Sequence, residues 1–115
     1  MSKQRPKPRH KRLETLNLVS LSHKDSDGRV DLEIVGRTLD LSEGGIFLEC
    51  SQTVPSENKE VEVILGIKEH VITIKGEIVH TRDLEDENIG LGIAFRDISA
   101  DDALIISNFM NEDEV

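Results

Sequence analysis

The sequence predicts a mainly β fold, a small antiparallel six-stranded β-barrel with a C-terminal helix covering an open end. Three observations predict it. Apolar and polar residues alternate through most of the chain, with the two-residue period of a sheet that has one wet face. Short polar segments rich in Gly, Asp, Asn and Ser punctuate these runs. Only the last segment changes to helical spacing. Closure removes the exposed edges of short strands; a five-stranded oligonucleotide-binding barrel and a small open β-roll are the competing architectures. A chain of 115 residues suits one domain. The expected division is a flexible basic arm at 1–12, the barrel at 13–98, a helix of the same domain at 99–110, and an acidic tail at 111–115.

The opening segment MSKQRPKPRHKR carries Pro6 and Pro8 and no apolar residue after Met1, so it is read as an arm rather than an element. LETLNLVSL at 13–21 is the first expected strand. HKDSDG at 23–28 is a polar turn ending in Asp27 and Gly28, a pair suited to positive φ. In RVDLEIVGRTLDL, Val30, Leu32 and Ile34 alternate with Asp31 and Glu33. DLSEGG closes that strand and IFLEC opens the next. Val61, Val63 and Leu65 then alternate with Glu62 and Ile64. Ile72, Ile74 and Ile78 form one face of the following strand, where Gly76 leaves room for a bulge or a close neighbour. RDLEDEN is a charged turn. IGLGIAF sets Ile89, Leu91, Ile93 and Phe95 opposite Gly90, Gly92 and Ala94, small residues that let another element approach. Ser99 is the expected N-cap of the helix, with Asp102 three residues on and Ala103, Ile106 and Met110 at helical spacing.

The formal net charge of −9 conceals an uneven distribution. Residues 1–12 hold six of the 14 cations and no carboxylate, which leaves eight cations against 23 carboxylates in 13–115, a net of −15. A basic arm is joined to an acidic body. Such an arm can meet phosphate, a membrane or nucleic acid, or fold back on its own domain. The acidic body repels a long polyanion, so no duplex nucleic acid is expected as a partner; a compact anion with few phosphates suits the layout. The chain has no Trp or Tyr and three Phe, which argues against an aromatic platform for single strands. No apolar run approaches the length of a membrane span, and cytoplasmic residence is the expectation. Cys50, the one cysteine, is read as a small buried hydrophobe.

The segment at 40–45, DLSEGG, stands between two expected strands. Its glycines allow unusual backbone and approachable amides, Asp40 is a charged acceptor, and Ser42 both donates and accepts. Together these groups match the hydrogen-bonding edge of a purine, guanine N1–H and N2–H to a carboxylate and O6 and N7 to an arginine fork. The alternative is a locally stabilised turn in which Asp40 and Ser42 bond only to nearby amides. Arg5, Arg9 and Arg12 are the natural partners of such a turn, because a guanidinium forks onto phosphate or guanine and stacks on a base. His10, His23, His70 and His80 form no metal-ligand pattern; His80 shares strand phase with Ile72, Ile74 and Ile78 and is either a partly buried packing residue or part of a ligand site. No catalytic or metal motif is present, and no cofactor or enzymatic activity is expected.

The basic arm, the first strand after it, DLSEGG, VITIKGEIV, and IGLGIAF leading to a terminal helix resemble the PilZ family, small β-barrels that bind the bacterial second messenger cyclic di-GMP. The family signature joins R-x-x-x-R to D/N-x-S-x-x-G, which Asp40, Ser42 and Gly45 match. Arg5 and Arg9 fit the first part; proximity to the first strand makes Arg12 the second arginine instead. The resemblance implies that two arginines grip guanine edges and phosphates, that Asp40 and Ser42 contact a guanine, and that Gly45 permits the turn. It implies a stand-alone cyclic di-GMP receptor or adaptor in bacterial signalling, whose arm closes on the ligand and changes a surface offered to a downstream protein partner. The alternative is a degenerate PilZ-like interaction module that does not bind nucleotide.

Overall fold

Alternation along most strands decides which side faces the core. Val61, Val63, Leu65 and Ile67 are buried along one strand, and Ile72, Ile74 and Ile78 along its neighbour. In this computed structural model, which describes residues 10–12, 18–55 and 57–111, the elements run β1 (His10–Arg12), β2 (Leu18–Lys24), β3 (Val30–Ser42), β4 (Gly45–Cys50), β5 (Glu60–Ile67), β6 (His70–Asp83), a 3-10 turn (Glu85–Glu87), β7 (Ile89–Asp97) and α1 (Ala100–Asn111). The sheet order is β1-β3-β2-β5-β6-β7-β4, and an additional β3–β4 pairing closes the six longer strands into a ring. Every pairing is antiparallel. The expected six-stranded barrel with one C-terminal helix is therefore the fold. Its core is aliphatic, with Leu48, Val63, Ile74 and Leu91 fully buried, and Ile106 and Met110 of α1 join it.

Several local details follow from single residues. Gly28 turns the chain at φ +82°, as the Asp27-Gly28 pair predicts, while Asp25 Oδ1 accepts from the N–H groups of Asp27 and Arg29 at 2.9 and 3.0 Å. Gly76 sits at a register shift where a Cβ would stand 2.8 Å from the Ile93 side chain, so both expected roles of this glycine coincide. Of the first expected strand, 13–21, residues 18–21 fall in β2, which runs on to Lys24, and 13–17 lie outside the described residues. β1 falls within the stretch read as a flexible arm. His80, although in phase with the isoleucines of β6, is exposed, because a second register shift between Ile78 and His80 reverses the phase.

Ser99 caps α1 as expected, its Oγ accepting the Asp102 N–H at 3.1 Å. Ser99→Ala should lower unfolding free energy by about 1 kcal/mol in urea denaturation.

β2 continues past the expected turn boundary because His23 is an inward residue with two partners. It is 3% exposed; its Nδ1 lies 2.7 Å from Asp31 Oδ1 and its Nε2 2.9 Å from the Asn58 carbonyl. Both partners are acceptors, so only the imidazolium satisfies both contacts. The Asp31 hydrogen bond, opposed by burial and assisted by the Asn58 carbonyl, raises the pKa of His23 above its ordinary 6.5. A base with a raised folded-state pKa adds stability that is complete below pH 6.5 and disappears as pH climbs through the raised value. Denaturation midpoints should fall as pH rises through that window, and His23→Gln should remove this dependence.

Candidate functional site

The barrel register brings the candidate residues into cross-strand rows. Arg12 of β1 pairs with Asp40 of β3, Asp40 with Phe47 of β4, Phe47 with Gly92 of β7, and Gly92 with His80 of β6. Paired positions in antiparallel strands stand about 4.5–5.5 Å apart at Cα, so the Arg12 and Asp40 backbones are immediate neighbours. One step along, His10 pairs with Ser42, and Gly45 pairs with Ala94. The other two candidate arginines, Arg5 and Arg9, lie outside the described residues.

An open pocket of about 280 Å³ occupies this outer face. Asp40, Ser42, Gly44 and Gly45 line one side; Phe47, Val79, Gly92 and Ala94 supply much of the rest. Three residues expected from the sequence thus share one cavity wall. The floor is nearly free of side chains because Gly90, Gly92 and Ala94 alternate outward along β7. Phe47 leans over Gly90, where a Cβ would lie 2.5 Å from its ring, and the Arg82 guanidinium sits 5.0 Å from the ring centroid. A planar apolar side chain on a flat backbone floor, with a cation above it, offers stacking surface beside a carboxylate.

The glycines act differently from expectation. Gly28 is the sole glycine with positive φ among the described residues, so Gly44 and Gly45 do not form the bend through left-handed backbone. Gly45 is required by space instead: a Cβ there would stand 2.4 Å from the Ile93 carbonyl oxygen, whereas one on Gly44 meets nothing within 4 Å. Ser42 fixes the bend, its hydroxyl donating to the Gly45 carbonyl and accepting the Gly44 N–H, each at 3.3 Å.

Glu49, next along the outer face of β4, accepts from Asn88 Nδ2 at 2.7 Å and Arg37 Nε at 2.9 Å. The Asn88 amide first and the Arg37 guanidinium second hold its carboxyl below the usual range. It anchors the rim. Burial raises the Cys50 thiol pKa, and its Sγ donates to the Gln52 carbonyl at 2.9 Å. No cluster of three His, Cys, Asp or Glu side chains able to hold a metal ion occurs among the described residues, and no described helix is long and apolar enough to cross a membrane.

Sequence reasoning missed Phe47, Val79 and Arg82. A signal for Phe47 was present: in IFLEC it falls on the polar phase with Glu49, while Ile46, Leu48 and Cys50 point inward. Its packing against glycines of another strand required the register.

A family model described as PilZ domain matches residues 5–112. Among solved structures, the chain is similar to the inhibitor of motility MotI/DgrA of Bacillus subtilis, with a TM-score of 0.69 and 15% identity over 94% of this chain and 51% of that one. The PilZ domain of Escherichia coli YcgR with c-di-GMP gives a TM-score of 0.62 and 15% identity over 85% of this chain and 81% of that one. The K. pneumonia MrkH–c-di-GMP complex gives 0.66 and 19% over 94% and 51%. The chain thus spans about half the length of the MotI and MrkH chains. No curated protein sequence matches it.

Proposed function

The chain belongs to the PilZ domain family, and from that premise we propose that it is a cyclic di-GMP receptor or adaptor, a binding module without catalytic activity. The observation that carries this reading is the convergence of Asp40, Ser42 and Gly45 on one pocket whose edge is extended by β1, with Arg12 in register with Asp40. The YcgR and MrkH structures similar to this chain contain c-di-GMP.

In the proposed complex, the Asp40 carboxylate accepts from N1–H and N2–H of a guanine. Ser42 offers its hydroxyl to the same edge. Two of Arg5, Arg9 and Arg12 fork onto phosphates or the O6/N7 edge. The Arg82 guanidinium over the Phe47 ring supplies a stacking face. The acidic body and basic arm then have a joint purpose: the body gives long polyanions little purchase, and the arm supplies the charge that a compact dinucleotide needs. Ligand-dependent rearrangement of the arm changes the surface presented to a downstream protein, by differential affinity for two arm arrangements.

Calorimetric titration with cyclic di-GMP, GMP and short oligonucleotides tests this. The cyclic dinucleotide alone should bind tightly, and its affinity should fall with added salt because phosphates meet several cations. Absence of binding heat, with no other binding signal across the micromolar range, would sink the ligand assignment. One observation favours the second reading, a PilZ-like interaction module that does not bind nucleotide: the Ser42 hydroxyl is already engaged on both sides within its own turn.

A further inference from the structure

The barrel face opposite the pocket carries exposed aliphatic residues. The ring order β2-β3-β4-β7-β6-β5 sets β2 and β5 across the barrel from β7 and β4. On the outer side of this half, Leu18, Val35, Ile64 and Val71 are 59%, 63%, 36% and 75% exposed. Ser20 pairs with Val35 and with Ile64, Ile64 with Thr73, and Gly66 with Val71. The four aliphatics are therefore diagonal neighbours across four adjacent strands, close enough to form one patch. Gly66 leaves a dimple within it, since a Cβ there meets nothing within 4 Å.

An acidic margin borders the patch. One row beyond it stand Glu33 on β3, Ser22 on β2 and Glu62 on β5, followed by Lys75 on β6 and Asp97 on β7. This row adjoins a cavity of about 540 Å³ whose lining includes Glu60, Glu62, Glu77 and Asp97. Three cations, Lys24, Lys75 and Arg96, share the cavity lining with five carboxylates, Asp25, Glu60, Glu62, Glu77 and Asp97. Arg96 pairs with Glu77 at 2.7 Å, and Lys75 lies in register between Glu62 and Asp97. The surface is thus aliphatic at its centre and acidic along one side.

We propose that this face docks a basic, amphipathic segment of a partner protein, its aliphatic side chains on the Leu18, Val35, Ile64 and Val71 patch and its lysines or arginines over the adjoining acidic cavity. Charge complementarity selects this occupant: aliphatic anchors recover the exposed apolar area, and long cationic side chains reach the cavity carboxylates. A second copy in the same contact would bring two acidic margins together at a cost in repulsion. The face is separate from the nucleotide pocket, so the inference does not rest on the ligand reading.

The test is amide chemical-shift mapping on the full chain without nucleotide, using two synthetic amphipathic peptides of one pattern, leucine with lysine and leucine with glutamate. The lysine peptide should shift Leu18, Val35, Glu62, Ile64 and Val71, and the glutamate peptide should not. Combined Val35→Gln and Val71→Gln should weaken the lysine peptide about tenfold or more, and Glu33→Gln with Glu62→Gln should reduce the salt dependence of its binding. All four positions lie outside the buried core, and unchanged melting temperatures would show the fold intact. The proposal is overturned if the shifts scatter over the acidic surface without the patch, if both peptides act alike, or if sedimentation shows a dimer that the valine substitutions dissociate. Failure here leaves nucleotide binding untouched, and failure of nucleotide binding leaves this mapping untouched.

Discussion

Asp40→Ala is expected to weaken cyclic di-GMP binding by about 10- to 100-fold in calorimetric titration, while melting temperature changes little. A hydrogen bond to a charged group contributes about 1.5–3 kcal/mol, and in the proposed complex the Asp40 carboxylate accepts two donors from one guanine edge. Asp40 is a half-buried residue near the end of β3 and lines the pocket rather than the barrel core. Arg12→Ala should produce a loss of similar size if the arginine in register with Asp40 is one of the gripping pair. Separate Arg5→Ala and Arg9→Ala titrations identify the other. An Asp40→Ala chain that binds as tightly as the parent would remove the carboxylate from the recognition mechanism and leave the pocket without its directed acceptor.

The second large effect is expected at Gly45, and it should appear in stability first. Alanine at this position would press its Cβ against the Ile93 carbonyl oxygen, a backbone atom that cannot rotate away. β4 must then shift relative to β7 at their Gly45–Ala94 pair, where the pocket wall is formed. Overpacking of this kind costs about 1–3 kcal/mol, which corresponds to a fall in melting temperature of about 4–8 °C per kcal/mol for a domain near this size. Gly44→Ala is the control. Its Cβ would meet open space and its φ lies outside the left-handed region, so stability should stay close to that of the parent. Equal loss at both positions would show that the bend needs glycine for backbone freedom rather than for clearance.

The contrast between these glycines shows how legible the site was. DLSEGG identified Asp40, Ser42 and Gly45 as a unit because residues so near in sequence stay near in space. It could not show why Gly45 is small, since the atom that forbids a larger residue belongs to Ile93, far along the chain. Phe47 and Arg82 illustrate the same limit. Their stacking depends on β4 and β6 flanking β7 with glycine between them, a relation set by the sheet register.

By itself the sequence determined the buried faces of β5 and of β6 as far as Ile78, the cap at Ser99, the turn at Gly28 and the charge division between residues 1–12 and the rest of the chain. Each depends on periodicity, a local hydrogen bond, a local backbone preference or composition, all of which operate within a few residues. Only the tertiary structure decided that His23 is a buried clamp between Asp31 and Asn58, that a bulge turns His80 outward, and that Arg12 stands beside Asp40. Those outcomes depend on register between distant strands, and a shift of one residue exchanges the two faces of a strand. Local pattern specifies which side chains seek the core; closure of the barrel specifies which of the remainder become neighbours.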